Sequence, residues 1–307
     1  MNLDFKILWF DDQSIDGHKR LIEDFLKNEY ELKLIVSSKK GNEDISTLDI
    51  DSYDLILMDY GLIGDETGVR KYQEIRNRYS YVDVAFYSSK MQDCKKDLRA
   101  LEQEGVDIEG VYSLEVNNDT LFEEKIQIII NKIVRRSESI GNLRGLILSE
   151  TAKFDLKIHD LIVSLINKYH LHNIVDQYLN KKIHKDVCSS LASEEDKYKK
   201  HKCKIGFYFD ERLNLPRLDS YKQVRVLNKI LKTMKEKGVV IDPTFDYFSE
   251  NYLKEIINFR NAFAHKIDKS GTIIINKEKI IVDDAFHKQM RSTLSHYNKL
   301  FETIENL

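Results

Sequence analysis

The sequence predicts a protein in two parts: a doubly wound parallel α/β sheet of five strands, followed by a mostly α-helical bundle with one β-hairpin. Short apolar runs alternate with helically spaced stretches over residues 1–138, a pattern typical of a parallel sheet with helices on both faces. From residue 139 onward the apolar residues recur mainly at helical spacing. A chain of 307 residues is long enough for two domains. We therefore predict domains at 1–138 and 139–307.

Five apolar runs of the first domain have the length and composition of strands. They are Phe5–Phe10, Leu32–Val36, Tyr53–Met58, Val82–Tyr87 and Gly110–Ser113, the last being the weakest. Four stretches with apolar residues at helical spacing separate or follow these strands: Ile15–Lys27, Gly68–Ile75, Lys90–Glu104 and Leu121–Val134. This order of elements predicts a parallel sheet with a helix layer on each face.

Composition excludes several classes of protein. No apolar run reaches the length needed to cross a bilayer, and the first residues lack the charged and apolar regions of a secretion signal. The three cysteines (Cys94, Cys188 and Cys203) are scattered, without the spacing of a zinc site or a disulfide framework. We therefore expect a cytoplasmic protein with free thiols and no membrane partner.

Charge differs between the two predicted domains. Residues 1–137 carry 19 Lys and Arg against 28 Asp and Glu, a net charge of −9. The remaining residues carry 29 against 23, a net charge of +6. An acidic first half suits the binding of a divalent cation, and a basic second half suits the approach of a polyanion such as RNA. The simpler interpretation is ordinary variation of charge between domains.

Polar residues end three of the predicted strands. Asp11 and Asp12 follow the first strand, Asp59 follows the third, and Ser88 follows the fourth. In sheets of this kind ligands bind at the carboxyl ends of the strands. Carboxylates gathered there repel one another unless a cation neutralises them, and hard oxygen ligands suit Mg²⁺. The sequence therefore predicts a magnesium site among these acids.

The same residues resemble the signature of the receiver domain of two-component response regulators, which has a flavodoxin-like fold. The resemblance covers about 135 residues. It rests on the run Trp-Phe-Asp-Asp at 9–12, the run Met-Asp-Tyr-Gly-Leu at 58–62, and the hydroxyl of Ser88 at the end of the fourth strand.

The resemblance to receiver domains implies a role for each polar residue. Asp59 would accept a phosphoryl group from a sensor histidine kinase. Asp12 and Asp59, together with the carbonyl of Gly61, would bind Mg²⁺, and Asp11 would assist through water. Ser88 would be the switch residue that hydrogen-bonds to a phosphoryl oxygen.

One expected residue of a receiver domain is missing. Receiver domains usually carry a lysine at the end of the fifth strand, where this sequence has Val111-Tyr-Ser-Leu-Glu115. No lysine occurs between Lys96 and Lys125. Lys90, two residues after Ser88, is a candidate for the missing charge. The alternative is a degenerate receiver that is kept as a docking or dimerisation module.

The second domain reads as a set of helices with one hairpin near its end. The predicted elements are helices at 143–169, 174–191, 218–234 and 245–265, strands at 272–275 and 279–282, and a last helix that Asp284 would cap and that runs to about residue 304. A densely charged stretch at 193–204 is open to three interpretations: a mobile loop, a solvated helix end or an RNA-contacting edge.

Arg260, Asn261 and His265 belong to the run Arg-Asn-Ala-Phe-Ala-His, which closes an apolar helical stretch. A histidine with a pKa near neutrality can take a proton from a ribose 2′-hydroxyl or give one to a leaving oxygen. A guanidinium suits phosphate oxygens as charge builds on them. Asn261 can hydrogen-bond to phosphate or hold the imidazole in one tautomer. The simpler interpretation is that arginine and histidine near a helix end cap its last carbonyls.

This hexamer resembles the Arg-x4-His signature of the HEPN superfamily, many members of which are metal-independent ribonucleases acting as dimers. The resemblance implies a homodimer that cleaves RNA to a 2′,3′-cyclic phosphate and a 5′-hydroxyl, with no cofactor in this domain. His265 would be the general base, Arg260 would stabilise the transition state and Asn261 would orient it. HEPN domains also carry polar residues on an early helix, for which Glu150 and Lys153 are candidates, with ordinary surface salt bridges as the alternative.

Two main hypotheses of function follow. The first is a response regulator whose receiver domain controls a HEPN endoribonuclease, with a role in bacterial stress or phage defence by family analogy. The second is a non-catalytic signalling adaptor in which the helical domain only dimerises or binds nucleotide or RNA. A DNA-binding output is a weaker third option, because no helix-turn-helix with a basic recognition helix is evident.

Overall fold

The structure is a computed structural model that describes residues 3–13, 15–62, 67–78, 81–116, 119–183, 218–265, 272–275 and 278–307. The chain divides into two compact units, Met1–Ser139 and Ile140–Leu307. Within the described ranges, no helix is both long enough and apolar enough to cross a membrane.

In the described ranges, the first unit contains five strands and four α-helices. The strands are β1 (Asp4–Phe10), β2 (Lys33–Lys39), β3 (Leu55–Asp59), β4 (Val84–Ser88) and β5 (Val111–Glu115). The helices are α1 (Asp16–Tyr30), α2 (Gly68–Arg76), α3 (Met91–Gln103) and α4 (Asp119–Ser137).

The five strands form one parallel sheet in the order β2-β1-β3-β4-β5. This is the strand order of the flavodoxin-like doubly wound fold, so the fold class predicted for this part of the chain is confirmed. The register pairs Phe10 of β1 with Met58 of β3, and Asp59 of β3 with Tyr87 of β4. The last residues of these three strands therefore lie at one edge of the sheet.

Alternate residues of the central strands pack into two separate cores. Ile7 and Trp9 face the layer that contains α1 and α4, whereas Leu8 and Phe10 face the layer that contains α2 and α3. All four side chains are fully buried. A sheet covered on both faces needs apolar residues at every position, which is why these strands read as continuous apolar runs.

The alternation of strand and helix is interrupted once. Between β2 and β3 the described chain has only a 3₁₀ turn at Ile50–Ser52. Arg78, just beyond α2, donates hydrogen bonds to the carbonyls of Ile45, Ser46 and Leu48. These bonds satisfy backbone acceptors that a helix would have satisfied internally.

The second unit is mostly helical. The α-helices that the structure describes in it are α5 (Ile140–Lys168), α6 (His172–Tyr178), α7 (Ser220–Glu236), α8 (Phe248–Tyr252), α9 (Asn258–His265) and α10 (Asp284–Glu305). A hairpin of β6 (Thr272–Ile275) and β7 (Glu278–Ile281) pairs antiparallel. A helical unit with one hairpin was predicted and is confirmed; the second predicted helix is described only as far as Ile183.

The cap of the last helix differs from the prediction. Asp283, not Asp284, is the N-cap residue, and its carboxylate accepts a hydrogen bond of 2.9 Å from the backbone N–H of Phe286. Asp284 is the first helical residue. Two neighbouring aspartates offer the same side chain, and only the backbone conformation decides which one caps.

Helix α5 is the centre of the second unit, since α7, α9 and α10 all contact it. An aromatic cluster of Phe154, Phe248, Tyr252, Tyr297 and Phe301 fills the space between α5, α8 and α10. A π-helical turn, Leu253–Ile257, joins α8 to α9 and so lies directly before Arg260. Such turns add a residue to the helix and occur frequently at functional sites.

Candidate functional site

An acidic cleft lies at the carboxyl edge of the sheet in the first unit. Its volume is about 480 Å³, and Asp11, Asp59, Gly61, Ser88 and Lys90 are among its lining residues. Asp59 is the last residue of β3 and Ser88 the last residue of β4, while Asp11 directly follows β1. The parallel register thus brings together side chains that are far apart in sequence.

Asp59 is half-buried in this cleft. Burial, followed by the charges of Asp11 and Asp12, raises the pKa of its carboxyl group above the usual value. A hydrogen bond of 3.0 Å from the backbone N–H of Gly61 to Oδ1 of Asp59 acts in the opposite direction. Because Asp11 and Asp12 place further negative charge near Asp59, a cation in this cleft would be attracted.

The two neighbouring aspartates are oriented differently. Asp11 lines the cleft, and its Oδ1 accepts a hydrogen bond of 2.7 Å from the backbone N–H of Gln13. Asp12 accepts a longer bond, 3.4 Å, from the backbone N–H of Gly41 in the loop after β2. Among the described residues, no group of three or more His, Cys, Asp and Glu is close enough to hold a metal ion. Two carboxylates and a backbone carbonyl are nevertheless enough for a cation that keeps most of its water, as Mg²⁺ does.

Ser88 and its neighbours make up the opposite wall of the cleft. Ser88 is buried, and its Oγ accepts a hydrogen bond of 2.9 Å from the backbone N–H of Lys90. Glu115, in register with Ser88 on β5, occupies the strand end where a lysine was expected. Lys90 and His18 are the cationic or basic side chains among the described residues that line the cleft.

Thr67 lines the cleft and Gly68 packs against the backbone of Asp59, and neither role was anticipated from the sequence. Thr67 lines the cleft and caps α2, accepting a hydrogen bond of 3.3 Å from the backbone N–H of Arg70. A Cβ at Gly68 would overlap the backbone carbonyl oxygen of Asp59, so only glycine fits there. The Thr-Gly pair before an apolar helical run is a signal of a helix N-terminus that points to this position.

Arg260 of the second unit takes part in a polar network that joins three helices. Its Nη1 donates a hydrogen bond of 3.0 Å to Oγ of Ser220 on α7, and its Nη2 lies 3.8 Å from Oδ2 of Asp155 on α5. Ser220 in turn donates to the same Asp155 oxygen at 2.7 Å. Burial raises the pKa of Asp155, against the lowering effects of Ser220 and Arg260. Arg260 is 35% exposed, so part of its guanidinium reaches solvent.

For Asn261 and His265, the other residues of the predicted ribonuclease site, the structure gives fewer contacts than for Arg260. Asn261 is exposed on α9. The backbone of His265 ends α9, while its side chain lies outside the part of the chain that the structure describes. Arg144 on α5 donates a hydrogen bond of 3.2 Å to the carbonyl of Ala264, next to His265.

On α5, the residue that contacts Arg260 is Asp155, which was not among the predicted residues. Glu150 and Lys153 pair with each other at 2.6 Å, and Asp155 is the α5 residue that meets Arg260. Among the described residues, no hydrogen bond or ion pair joins Glu150 or Lys153 to Arg260, so the prediction that they share its cleft stays a prediction. Asp155 and Ser220 were missed because an acid next to Phe154 and a serine after Asp219 look like ordinary surface residues in the sequence.

Comparisons with known proteins return structural similarity only: no family model matches the chain, and no curated protein matches it. The chain is similar to a DNA-binding response regulator of the LuxR family from Staphylococcus aureus, with 15% sequence identity and a TM-score of 0.32. The alignment covers 42% of this chain and 98% of that one. It is also similar to a two-component response regulator from Clostridium difficile, with 22% sequence identity and a TM-score of 0.32. That alignment covers 44% of this chain and 100% of the other.

A third similar structure is the response regulator ChrA of a heme-sensing two-component system, with 11% identity, 77% of this chain and 99% of that chain covered, and a TM-score of 0.29. Response regulators are thus among the proteins that this chain resembles. Identities and TM-scores this low do not establish a fold. The strand order and the parallel pairing of the sheet establish the fold of the first unit.

Proposed function

We propose that this protein is a response regulator whose first unit is a receiver domain phosphorylated on Asp59 by a sensor histidine kinase. The observation that supports this most directly is the meeting of Asp59, Asp11 and Ser88 in one cleft at the carboxyl edge of a flavodoxin-like sheet. A phosphoryl group on Asp59 would lie within the same cleft as the Ser88 hydroxyl, which would hydrogen-bond to one of its oxygens.

Magnesium is part of the proposal for the first unit. Asp12, Asp59 and the Gly61 carbonyl would hold Mg²⁺, with Asp11 assisting through water. When bound, the ion neutralises the acids and the incoming phosphoryl oxygens. An Asp59 oxygen then attacks the phosphorus of a phosphohistidine, the P–N bond breaks, and the kinase imidazole takes up a proton as it leaves.

Phosphorylation can be tested by incubating the full chain with acetyl phosphate and Mg²⁺ and measuring its intact mass. The wild type should gain one phosphoryl group, and Asp59→Asn should gain none. Asp54→Asn is a control, because Asp54 is another aspartate of this unit that lies outside the cleft and accepts a hydrogen bond of 2.7 Å from the backbone N–H of Lys6. Equal labelling of wild type and Asp59→Asn contradicts the assignment.

For the second unit we propose a metal-independent endoribonuclease activity of the HEPN type in a homodimer. His265 would take the proton of a ribose 2′-hydroxyl, whose oxygen attacks the adjacent phosphorus while the 5′-oxygen leaves and is protonated. Arg260 would stabilise the charge on the phosphate oxygens and Asn261 would orient the phosphate. Support comes from the exposure of Asn261 and the partial exposure of Arg260 on the same short helix. A role in bacterial stress or phage defence extends this proposal by analogy.

The ribonuclease proposal predicts cleavage of RNA in EDTA, with 2′,3′-cyclic phosphate ends. His265→Ala should abolish cleavage, and His296→Ala, which changes an exposed histidine of α10, should retain it. Sedimentation velocity tests the homodimer on the same samples. Cleavage that persists in His265→Ala points to a contaminating nuclease and contradicts the proposal.

A signalling adaptor without catalysis is the second candidate function. The pairing of Arg260 with Ser220 and Asp155 favours it, because a guanidinium engaged inside the protein offers fewer donors to a phosphate. If neither wild type nor His265→Ala cleaves RNA, even with acetyl phosphate and Mg²⁺ present, the adaptor is the better description.

A further inference from the structure

Tyr87 of β4 connects the acidic cleft to the buried core of the first unit. Its ring is buried, and its hydroxyl lies within hydrogen-bonding distance of three groups: the indole of Trp9, a carboxylate oxygen of Asp11 and the carbonyl of Phe10. Trp9 Nε1 is 2.7 Å away, whereas the Phe10 carbonyl is 3.4 Å away.

The direction of these hydrogen bonds follows from the chemistry of the groups. An indole N–H can only donate, so the Tyr87 oxygen is the acceptor of the bond from Trp9. The single phenolic proton then goes to the closest acceptor, which is Oδ2 of Asp11. A hydrogen bond to a carboxylate is stronger than one to a neutral carbonyl, which reinforces the same choice.

Both oxygens of Asp11 are therefore engaged within the protein. Oδ2 accepts from the Tyr87 hydroxyl, and Oδ1 accepts from the backbone N–H of Gln13 at 2.7 Å. The two donors come from different strands or loops and hold the carboxylate in one orientation. Asp11 and Asp59 both line the cleft.

We propose that Tyr87 is a positioning residue that keeps Asp11 out of direct contact with the bound cation and thereby selects Mg²⁺ over Ca²⁺. The inference rests on the proposed magnesium site of the receiver domain. Mg²⁺ takes one or two carboxylates and keeps several waters, whereas Ca²⁺ takes six to eight oxygen ligands in flexible geometry. With Asp11 restrained, the cleft offers few direct ligands, which favours Mg²⁺. With Asp11 released, a further carboxylate becomes available and Ca²⁺ gains more than Mg²⁺.

The experiment compares cation affinities of the full chain by isothermal titration calorimetry, using MgCl₂ and CaCl₂ separately. In Tyr87→Phe the ratio of the Ca²⁺ affinity to the Mg²⁺ affinity should rise about tenfold, the change expected when one hydrogen bond to a charged group is removed. Tyr112→Phe is the matched control, because its hydroxyl contacts a different carboxylate, Asp83, at 3.4 Å outside the cleft. The control should keep the wild-type ratio.

A second variant separates positioning from folding. Tyr87→Phe leaves the buried Trp9 indole without its acceptor, so thermal denaturation must accompany the titration. Asp11→Asn retains an acceptor for the Tyr87 hydroxyl and removes the charge; it should lower Mg²⁺ affinity no more than about tenfold, because Asp11 acts only through water. In the double variant Tyr87→Phe with Asp11→Asn, the gain in relative Ca²⁺ affinity should disappear.

The outcomes of these titrations are distinguishable. If the wild type binds Mg²⁺ and Tyr87→Phe shows the wild-type ratio, the hydroxyl serves only the Trp9 indole and the inference is wrong. If Asp11→Asn loses Mg²⁺ binding altogether, Asp11 is a direct ligand and the inference is also wrong. If the wild type binds no Mg²⁺ at all, the magnesium site of the proposed function fails, and this inference fails with it.

Discussion

Arg260 and Asp155 lie on different helices, and the Ser220 hydroxyl bridges them by accepting from the guanidinium and donating to the carboxylate. Three helices of the second unit therefore meet at one polar point. The remaining oxygen of Asp155, Oδ1, is buried without a hydrogen-bond partner among the described residues. A buried carboxylate that is only partly satisfied depends strongly on the partners it does have.

Removing the bridging hydroxyl should destabilise the second unit. Ser220→Ala eliminates both hydrogen bonds and leaves the Asp155 carboxylate with only a 3.8 Å contact to Arg260. We expect the free energy of unfolding in urea to fall by about 1–3 kcal/mol, the cost of leaving buried polar groups unsatisfied. The control is Thr303→Ala, because the exposed Thr303 hydroxyl donates to the carbonyl of Lys299 in its own helix. Equal stability of the two variants contradicts the bridging role.

Asp155 should also make stability depend on pH. Burial raises the pKa of its carboxyl above the usual 3.8, so the native protein binds this proton more tightly than the unfolded chain. The resulting stabilisation is fully present below pH 3.8 and is lost as the pH rises through the higher native pKa. Asp155→Asn has no such proton to bind. The stability of wild type relative to Asp155→Asn should therefore increase as the pH is lowered from neutrality toward that value, as measured by denaturant unfolding at each pH. A pH-independent difference contradicts the prediction.

Two neighbouring tyrosines of the aromatic cluster should respond oppositely to loss of their hydroxyls. Tyr252 and Tyr297 pack edge to face at 5.0 Å, but the Tyr252 hydroxyl is buried without a partner in the described part of the chain. Tyr297 donates a hydrogen bond of 2.9 Å to the exposed Glu255. Tyr252→Phe should be neutral or stabilising, because it removes an unsatisfied polar atom, whereas Tyr297→Phe should cost about 1 kcal/mol. The reverse order in thermal unfolding would show that Tyr252 has a partner.

Gly68 should tolerate no side chain. Gly68→Ala places a methyl group against the Asp59 carbonyl, which forces α2 away from β3 and should cost about 1–3 kcal/mol of unfolding free energy. Gly17→Ala is the control in the same unit, since a Cβ at Gly17 of α1 meets nothing and alanine favours helix by up to about 1 kcal/mol. The displacement should also weaken labelling of Asp59 by acetyl phosphate. Similar stability for both variants would rule out the close contact.

Local patterns accounted for most of the fold. The continuous apolar runs at β1, β3 and β4 were predictable because a doubly covered sheet leaves no exposed face on its central strands. The hairpin was equally visible, because two β-branched runs flank a short polar turn. The segment between β2 and β3 was not predictable, because its conformation depends on Arg78, which reaches its carbonyls from beyond α2.

The two sites differed in how far the sequence could describe them. Acids at strand ends marked the cleft, since strand ends of a parallel sheet share one edge. The partners of those acids were hidden: Tyr87 reads as one more apolar strand residue until its hydroxyl is seen against Asp11. Likewise, Asp155 and Ser220 lie 105 and 40 residues before Arg260, and only helix packing brings them together.

The amino-acid sequence by itself determined that an α/β unit is followed by a helical unit, and that acids end the strands of the first unit. Both features depend on periodicity and on residues that are close together in the chain. Only the tertiary structure decided which hydrogen-bond donors reach Asp11, which aspartate caps the last helix, and which acid meets Arg260. Those choices depend on the relative placement of side chains from separate elements, within a few tenths of an ångström, and no spacing in the sequence encodes such distances.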